Sequence, residues 1–588
     1  MLERWRAAHQ AQLGRLRADA PWLLGLILVA AAYYGIYFRC GFNLSDEGSV
    51  ALLSQRILQG ERPLADLMLG YNVLWFYPIV GLFWLCGVSV LAMKIYFFAL
   101  ATLSSLLGFA SIRKISGHRL YAFIVGLILI AIPGTSYRVY LPLLVIVNSY
   151  CLLRLIWSQG WTWLVIGGLL LGITFLLRID LGIFFSIIWL GTTLLRSFVP
   201  RDSAAKSPHP LLAALLMASI AIAVHLPFYL YAEKQGFGPN FLQQYTDSYG
   251  VIRSGLARGF PKSAPANPPR PILAVNASAD SPPSDSVAAL PKSAKPAADG
   301  SKTLGRKPVE QIWKAKKWRT RIHAFVTYAP IVSAGMALIL TLIIGARQIR
   351  RREPEAARRC LSTLMIVGAA LTLFPQFFGF RPDMSHLAEF MPGFVVAAAG
   401  SVFYFSEEIR RQSGLRLLQL GSGVACLFLV LHTGIWCLFA FFQSGAGTIS
   451  MRIGRNVPFK AANGVDVLLS AEDYQGYSKI RDLVAAHSKP GEYVVCYPYS
   501  PGINVLCDRP TYEWSLYVDN AVRAKDFDAK TIAKIEARKP AVIVLDDWAI
   551  NQTEESRFSV WARGTQAYVA SNYRLEGTHL GHQIYVRR

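Results

Sequence analysis

Charge is scarce in this chain of 588 residues. Asp, Glu, Lys and Arg together make up 16% of it, and the acidic residues are the rarer kind, 36 against 60 basic ones. Apolar residues reach 53%, and the mean hydropathy is +0.35. That shortage of charge excludes an ordinary soluble globular protein, which must cover its surface with polar groups. What remains is a polytopic α-helical membrane protein, since many separate apolar runs approach or exceed the length that crosses hydrocarbon. A formal net charge of +24 would suggest nucleic acid in a soluble chain. Here much of it falls in short clusters beside apolar runs, where positive charge sets orientation, so no nucleic-acid partner is expected.

Other signatures are missing too. The polar C-terminal part has no glycine-rich nucleotide fingerprint and no nucleophile–base–acid pattern, and His579 and His582 stand too isolated to claim a metal. No cofactor is expected. Six of the eight cysteines (Cys40, Cys86, Cys151, Cys360, Cys426 and Cys437) lie in or beside apolar segments, as small hydrophobes do. Cys496 and Cys507 could form a disulfide if the C-terminal part is extracytoplasmic. The first apolar segment lacks a small-residue cleavage site before Asp46, so it reads as a signal anchor.

What is there organises as about eleven spans. They are expected near 21–38, 90–112, 120–136, 138–157, 161–177, 181–198, 211–231, 325–345, 360–378, 388–404 and 416–441. The apolar stretch Tyr71–Cys86 is read as lying along the interface. Only then do the basic loops Arg113–Arg119, Arg196–Lys206, Arg347–Arg359 and Arg410–Arg416 all face the cytoplasm. This gives a cytoplasmic N-terminus (1–20) and a membrane domain (21–231) whose first outer loop spans 40–90. A long outer loop (232–324), a second membrane domain (325–441) and an extracytoplasmic α/β domain (445–588) follow. Within the long loop, 261–300 is Pro, Ala, Ser and Lys with almost no aromatic residue, and is expected to be disordered. Lys302–Arg321, with eight basic residues and two tryptophans, suits a helix on an anionic membrane surface. In the last domain, helices are expected at Tyr477–His487 and Asp528–Lys539, and strands at Glu492–Tyr497, Ala541–Leu545 and Gln583–Val586. His225 and His432 are read as the main polar oddities of spans that carry few charges.

The most informative stretch is Asn43-Leu44-Ser45-Asp46-Glu47-Gly48, continuing through Pro63-Leu64-Ala65-Asp66 to Gly70-Tyr71 and the aromatic run Trp75-Phe76-Tyr77. Three carboxylates next to a membrane surface are costly without a partner or a task. Later, Arg381-Pro382-Asp383-Met384-Ser385-His386-Leu387 sets a guanidinium and an imidazole at another loop. Arg178-Ile179-Asp180 is a charge pair at a tight turn, read equally as a mutual helix-capping pair or a ligand contact.

The Asp-Glu-Gly loop after the first span, the Pro-x-x-Asp and aromatic run that follow, and the late Arg-x-Asp-x-x-His-Leu resemble the GT-C glycosyltransferases. Within them they are most similar to family 39, the protein O-mannosyltransferase and aminoarabinose-transferase branch. The resemblance implies transfer of a sugar, with inversion, from a polyprenyl-phosphate donor to an extracytoplasmic lipid, glycan or protein, in a bacterial inner or plasma membrane. It implies Asp46 as the base, Glu47 as its neighbour and substitute, and Asp66 as the second acidic position. Arg381, His386 and Asp383, with Arg178 and Tyr71, would hold the donor phosphate. Asp46-Glu47 lacks the spaced Asp-x-Asp of metal-using branches, so no metal is expected. The competing readings are a transporter or flippase of lipid-linked sugars and a glycan ligase or polymerase.

Overall fold

A computed structural model describes residues 2–158, 161–199, 209–246, 318–351, 353–375, 384–411, 416–442, 448–518, 526–550 and 554–588. The chain is a polytopic α-helical membrane protein with a small C-terminal α/β domain. Among the described residues, each of the eleven expected spans is met by a helix. Eight are long and apolar enough to cross a membrane: Arg17–Gly35, Val90–Ser116, Tyr140–Ser158, Ile179–Arg196, Pro210–Lys234, Tyr328–Arg350, His386–Arg411 and Arg416–Leu438. The helices Arg119–Ala131 and Trp161–Leu177 are shorter, and Pro354–Leu371 begins on a charged turn. Outward faces of the long helices expose Leu, Ile and Phe, among them Leu28, Leu215, Ile222, Ile339 and Leu427, which is what contact with lipid requires.

The aromatic stretch does not cross. Asn72 caps a short turn at Val73–Trp75, and the helix Tyr77–Cys86 that follows has 10 residues, about 15 Å, half the hydrocarbon thickness. Successive long helices then alternate in direction, which sorts the chain's charges. At one end of the bundle, Arg113 and Arg119 both reach Asp19, at 3.5 and 2.8 Å, and Arg359 and Arg410 both reach Glu407. At the other end, the backbone N–H groups of Val90 and Leu91 donate to the carbonyls of Asn463 and Gly464 in the C-terminal domain.

That domain pairs β1 (Val457–Ala461) with β2 (Val465–Leu469) in an antiparallel ribbon, and forms a second sheet of four strands. Its order is β3 (Val494–Tyr497), β4 (Val542–Leu545), β6 (His582–Arg587), β5 (Tyr573–His579), with only β3 and β4 parallel. Every residue of β4 is buried, as expected of a strand covered on both faces. Helices Ala471–His487 and Phe527–Arg538 match the expected ones, the first starting earlier because Ser470 caps it through the N–H of Asp473. Strands β1, β2 and β5 were not expected.

Several expectations need correction or placement. The spans carry few charges, as expected, but His225 and His432 are not their main polar features: Lys94 and Glu389 are buried inside helices Val90–Ser116 and Met384–Arg411. His386 lies within the latter helix rather than in the loop before it. Cys496 and Cys507 are not bonded to each other. The stretch 261–300, Arg381 and Asp383 lie outside the described residues, as does most of Lys302–Arg321; its last residues open the helix Trp318–Arg350.

Candidate active site

The Asp46–Leu58 helix begins on a reciprocal arrangement. Asn43 Oδ1 accepts from the N–H groups of Ser45 and Asp46, both at 2.8 Å, while Glu47 Oε2 accepts from the N–H of Asn43 at 2.9 Å. Two acidic residues in the first turn also suit the positive end of the helix dipole. The third residue of the motif is a glycine for a steric reason. A Cβ on Gly48 would lie 2.3 Å from Cα of Gly502, and one on Gly502 would lie 2.6 Å from Cα of Leu44. Any side chain at either position would wedge the C-terminal domain off the motif loop.

Glu47 and Asp46 have different surroundings. Glu47 is buried, and both of its carboxylate oxygens take Lys94 Nζ, at 2.9 and 3.1 Å; Ser136 Oγ donates at 3.4 Å. Asp46 keeps its side chain 27% exposed. Its Oδ1 accepts from the Tyr499 hydroxyl at 3.1 Å and lies 3.6 Å from Arg138 Nη2, while Oδ2 has no side-chain partner among the described residues. A carboxylate with one oxygen held and its side chain partly exposed can take a proton from a bound hydroxyl.

Arg138 is the cation of the cluster. The helix Arg119–Ala131 ends at Ile132, the chain turns at Gly134 with φ +85°, and a short turn at Ser136–Arg138 carries the guanidinium inward. Gly134 packs so that a Cβ would meet the Ala388 carbonyl at 3.2 Å. Arg138 Nη1 donates to Glu389 Oε1 at 2.8 Å and lies 3.0 Å from His386 Nε2. Its Nε is buried and has no hydrogen-bond partner among the described residues. A buried guanidinium N–H left unmatched is costly, and an anionic oxygen is what such a fork accepts best.

Arg178 stands beside this cluster. Its Nε donates to Asp180 Oδ1 at 2.7 Å, so the charge pair expected at this turn is a direct one. Its guanidinium also lies 5.6 Å from the Tyr71 ring centre, and Tyr71 stacks on Trp75 at 3.9 Å. Burial pushes the Tyr71 hydroxyl above its ordinary range, against the pull of Arg138 and Arg178, so it remains a donor at neutral pH.

The structure therefore brings Asp46, Glu47 and His386 together around Arg138, with Arg178 and Tyr71 alongside. Asp66 makes no direct contact with them among the described residues. Arg62 binds both Asp66 oxygens, at 2.8 Å each, and Asp66 has no hydrogen bond or ion pair to any of these groups. The sequence reading missed Lys94, Arg138, Glu389 and Tyr499. A lone lysine and a lone glutamate within apolar helices were available signals for two of them. Arg138 closes an ordinary-looking loop, and Tyr499 comes from a different domain. Among the described residues, no group of three or more His, Cys, Asp or Glu could hold a metal ion.

No family model matches this chain, and no curated protein matches it. Among solved structures it is similar to apo ArnT from Cupriavidus metallidurans, with 13% identity and a TM-score of 0.47, over 97% of this chain and 98% of that one. It is also similar to the archaeal oligosaccharyltransferase AglB from Archaeoglobus fulgidus, solved with an inhibitory peptide and a dolichol-phosphate. There the identity is 12% and the TM-score 0.46, over 97% of this chain and 74% of that one.

Proposed function

We propose that this chain is a GT-C-type glycosyltransferase that moves a sugar from a polyprenyl-phosphate donor to an extracytoplasmic acceptor, with inversion. The observation that carries the reading is the pairing of Asp46 with Arg138. Among the described residues, a carboxylate with one oxygen unpartnered lies 3.6 Å from a buried guanidinium that still has an unmatched N–H. Asp46 Oδ2 takes the proton of the acceptor hydroxyl as its oxygen attacks the anomeric carbon. The bond from that carbon to the phosphate oxygen breaks with its electron pair going to that oxygen, and the growing negative charge on the phosphate is met by Arg138, with His386 beside it. Phosphate departs readily, so no second carboxylate is needed as an acid.

Glu47 is committed to Lys94 and so holds the loop rather than replacing Asp46. Arg178 and Tyr71 are assigned to the donor's phosphate or sugar. Arg381 and Asp383 keep a place at the phosphate on the motif resemblance alone. Asp66, held by Arg62, is given no part in the transfer. No metal is given a role. The basic loops sit at the bundle end opposite the cluster, which supports a cytoplasmic position for them and an outer one for Asp46.

The test is to incubate purified protein with polyprenyl-phosphate sugars and measure release of free polyprenyl phosphate. Asp46→Asn should abolish release with an unchanged melting temperature. Release that survives Asp46→Asn overturns the reading, and Asp46-independent movement of the lipid across liposomes would point to a transporter instead.

A further inference from the structure

The C-terminal domain does more than cover the membrane half, because one of its side chains binds the carboxylate assigned as base. Tyr499 follows β3, and its hydroxyl donates to Asp46 Oδ1 at 3.1 Å across 453 residues of sequence. Burial pushes that hydroxyl well above its ordinary range, so it stays protonated and stays a donor. The backbone of the same segment is tied to the loop that carries Asp46. Ser45 Oγ donates to the Tyr499 carbonyl at 2.8 Å, and the Gly502 N–H donates to the Leu44 carbonyl at 2.6 Å. Gly48 and Gly502, both lacking side chains, permit that approach.

The segment is also anchored from behind. Ser500 Oγ donates to Asp546 Oδ2, and Asp546 Oδ1 pairs with His582 Nδ1. The Asp546 N–H donates to the Tyr497 carbonyl at 2.7 Å, closing β3 against the end of β4. The Tyr499 ring packs edge-on against Tyr517, with centres 5.0 Å apart. The hydroxyl therefore reaches Asp46 from a main chain fixed on both sides.

We infer that Tyr499 is a positioning residue for the transfer: it holds Asp46 by Oδ1 so that Oδ2 faces the acceptor, and the C-terminal domain is thereby part of the active site. The inference rests on the glycosyltransferase reading above. A carboxylate with two rotatable bonds and 27% exposure would otherwise sample several orientations, only some of which aim a lone pair at the acceptor.

Tyr499→Phe removes the hydroxyl and keeps the ring, so it tests the hydrogen bond rather than the packing. In full-length protein, kcat for polyprenyl-phosphate release should fall about tenfold to a hundredfold, with KM for the donor within about twofold and an unchanged melting temperature. Wild-type kcat in Tyr499→Phe overturns the inference and leaves the glycosyltransferase reading standing. So does a joint fall in kcat, donor affinity and melting temperature, which marks a structural role. A wild-type protein that releases no polyprenyl phosphate overturns the reading itself, and the inference with it.

Discussion

Lys94 and Glu47 form an ion pair almost wholly shut off from solvent, with side chains 2% and 5% exposed. It joins a transmembrane helix to the first turn of the helix that carries Asp46. Two charges so placed have lost their hydration, and their attraction offsets that loss only while both are present. Lys94→Met should leave Glu47 buried and unpaired, and lower stability by about 3–5 kcal/mol. Lys94→Met with Glu47→Gln should recover much of the loss. Thermal unfolding of the detergent-solubilised protein distinguishes these outcomes, and a single variant as stable as the double would refute the account.

How far the sequence foretold this site depends on the distance over which each contact acts. The link between Asn43 and Glu47 spans four residues, so the motif announced its own local structure. The spans were legible because hydropathy is additive along a helix, and even the non-crossing Tyr77–Cys86 followed from charge placement. Arg138 is 92 positions from Asp46, and nothing local separates it from any arginine at a helix end. Glu389 is paired across 251 positions and Tyr499 across 453, so only the assembled fold reveals them. Asp66 shows the converse. Its place in a familiar spacing suggested chemistry, yet a neighbour four residues away takes up both its oxygens.

Arg138 should be irreplaceable by lysine. The guanidinium contacts Asp46, Glu389 and His386 at once and, among the described residues, leaves Nε unpartnered, whereas an ammonium is a single point of charge. Arg138→Lys should retain folding and lose about 10²–10³ in kcat, the cost of removing one preorganised donor to developing charge. Single-turnover release of polyprenyl phosphate measures this, and Arg138→Lys at wild-type rate would remove Arg138 from the phosphate.

Asp66 should tolerate neutralisation. The hydrogen bonds from Arg62 hold its carboxyl down at about 2, against the upward push of its partial burial. A depressed folded value stabilises above the ordinary carboxylate range near 4, and that contribution disappears as pH falls toward 2. Both partners are more than a third exposed, so solvent screens most of the interaction. Asp66→Asn is expected to keep turnover within about threefold and to leave the melting temperature unchanged at pH 7. A loss comparable to that of Asp46→Asn would return Asp66 to the active site.

His582 gives the C-terminal domain a pH dependence of definite sign. Burial alone would push the imidazolium down, but the Asp546 carboxylate paired with it prevails and the value is raised above the ordinary 6.5. A raised folded value means that the charged pair stabilises fully below about 6.5, the unfolded value, and that its contribution is lost as pH rises through the folded one. The full-length protein should therefore melt at progressively lower temperature from about pH 6.5 upward. His582→Gln should flatten that slope, because nothing at position 582 then titrates. Since Asp546 also holds Ser500, next to Tyr499, the rise in pH should reduce turnover in the wild type more steeply than in Tyr499→Phe, whose hydrogen bond to Asp46 is already gone. Equal slopes in the two proteins would separate the His582 pair from the active site.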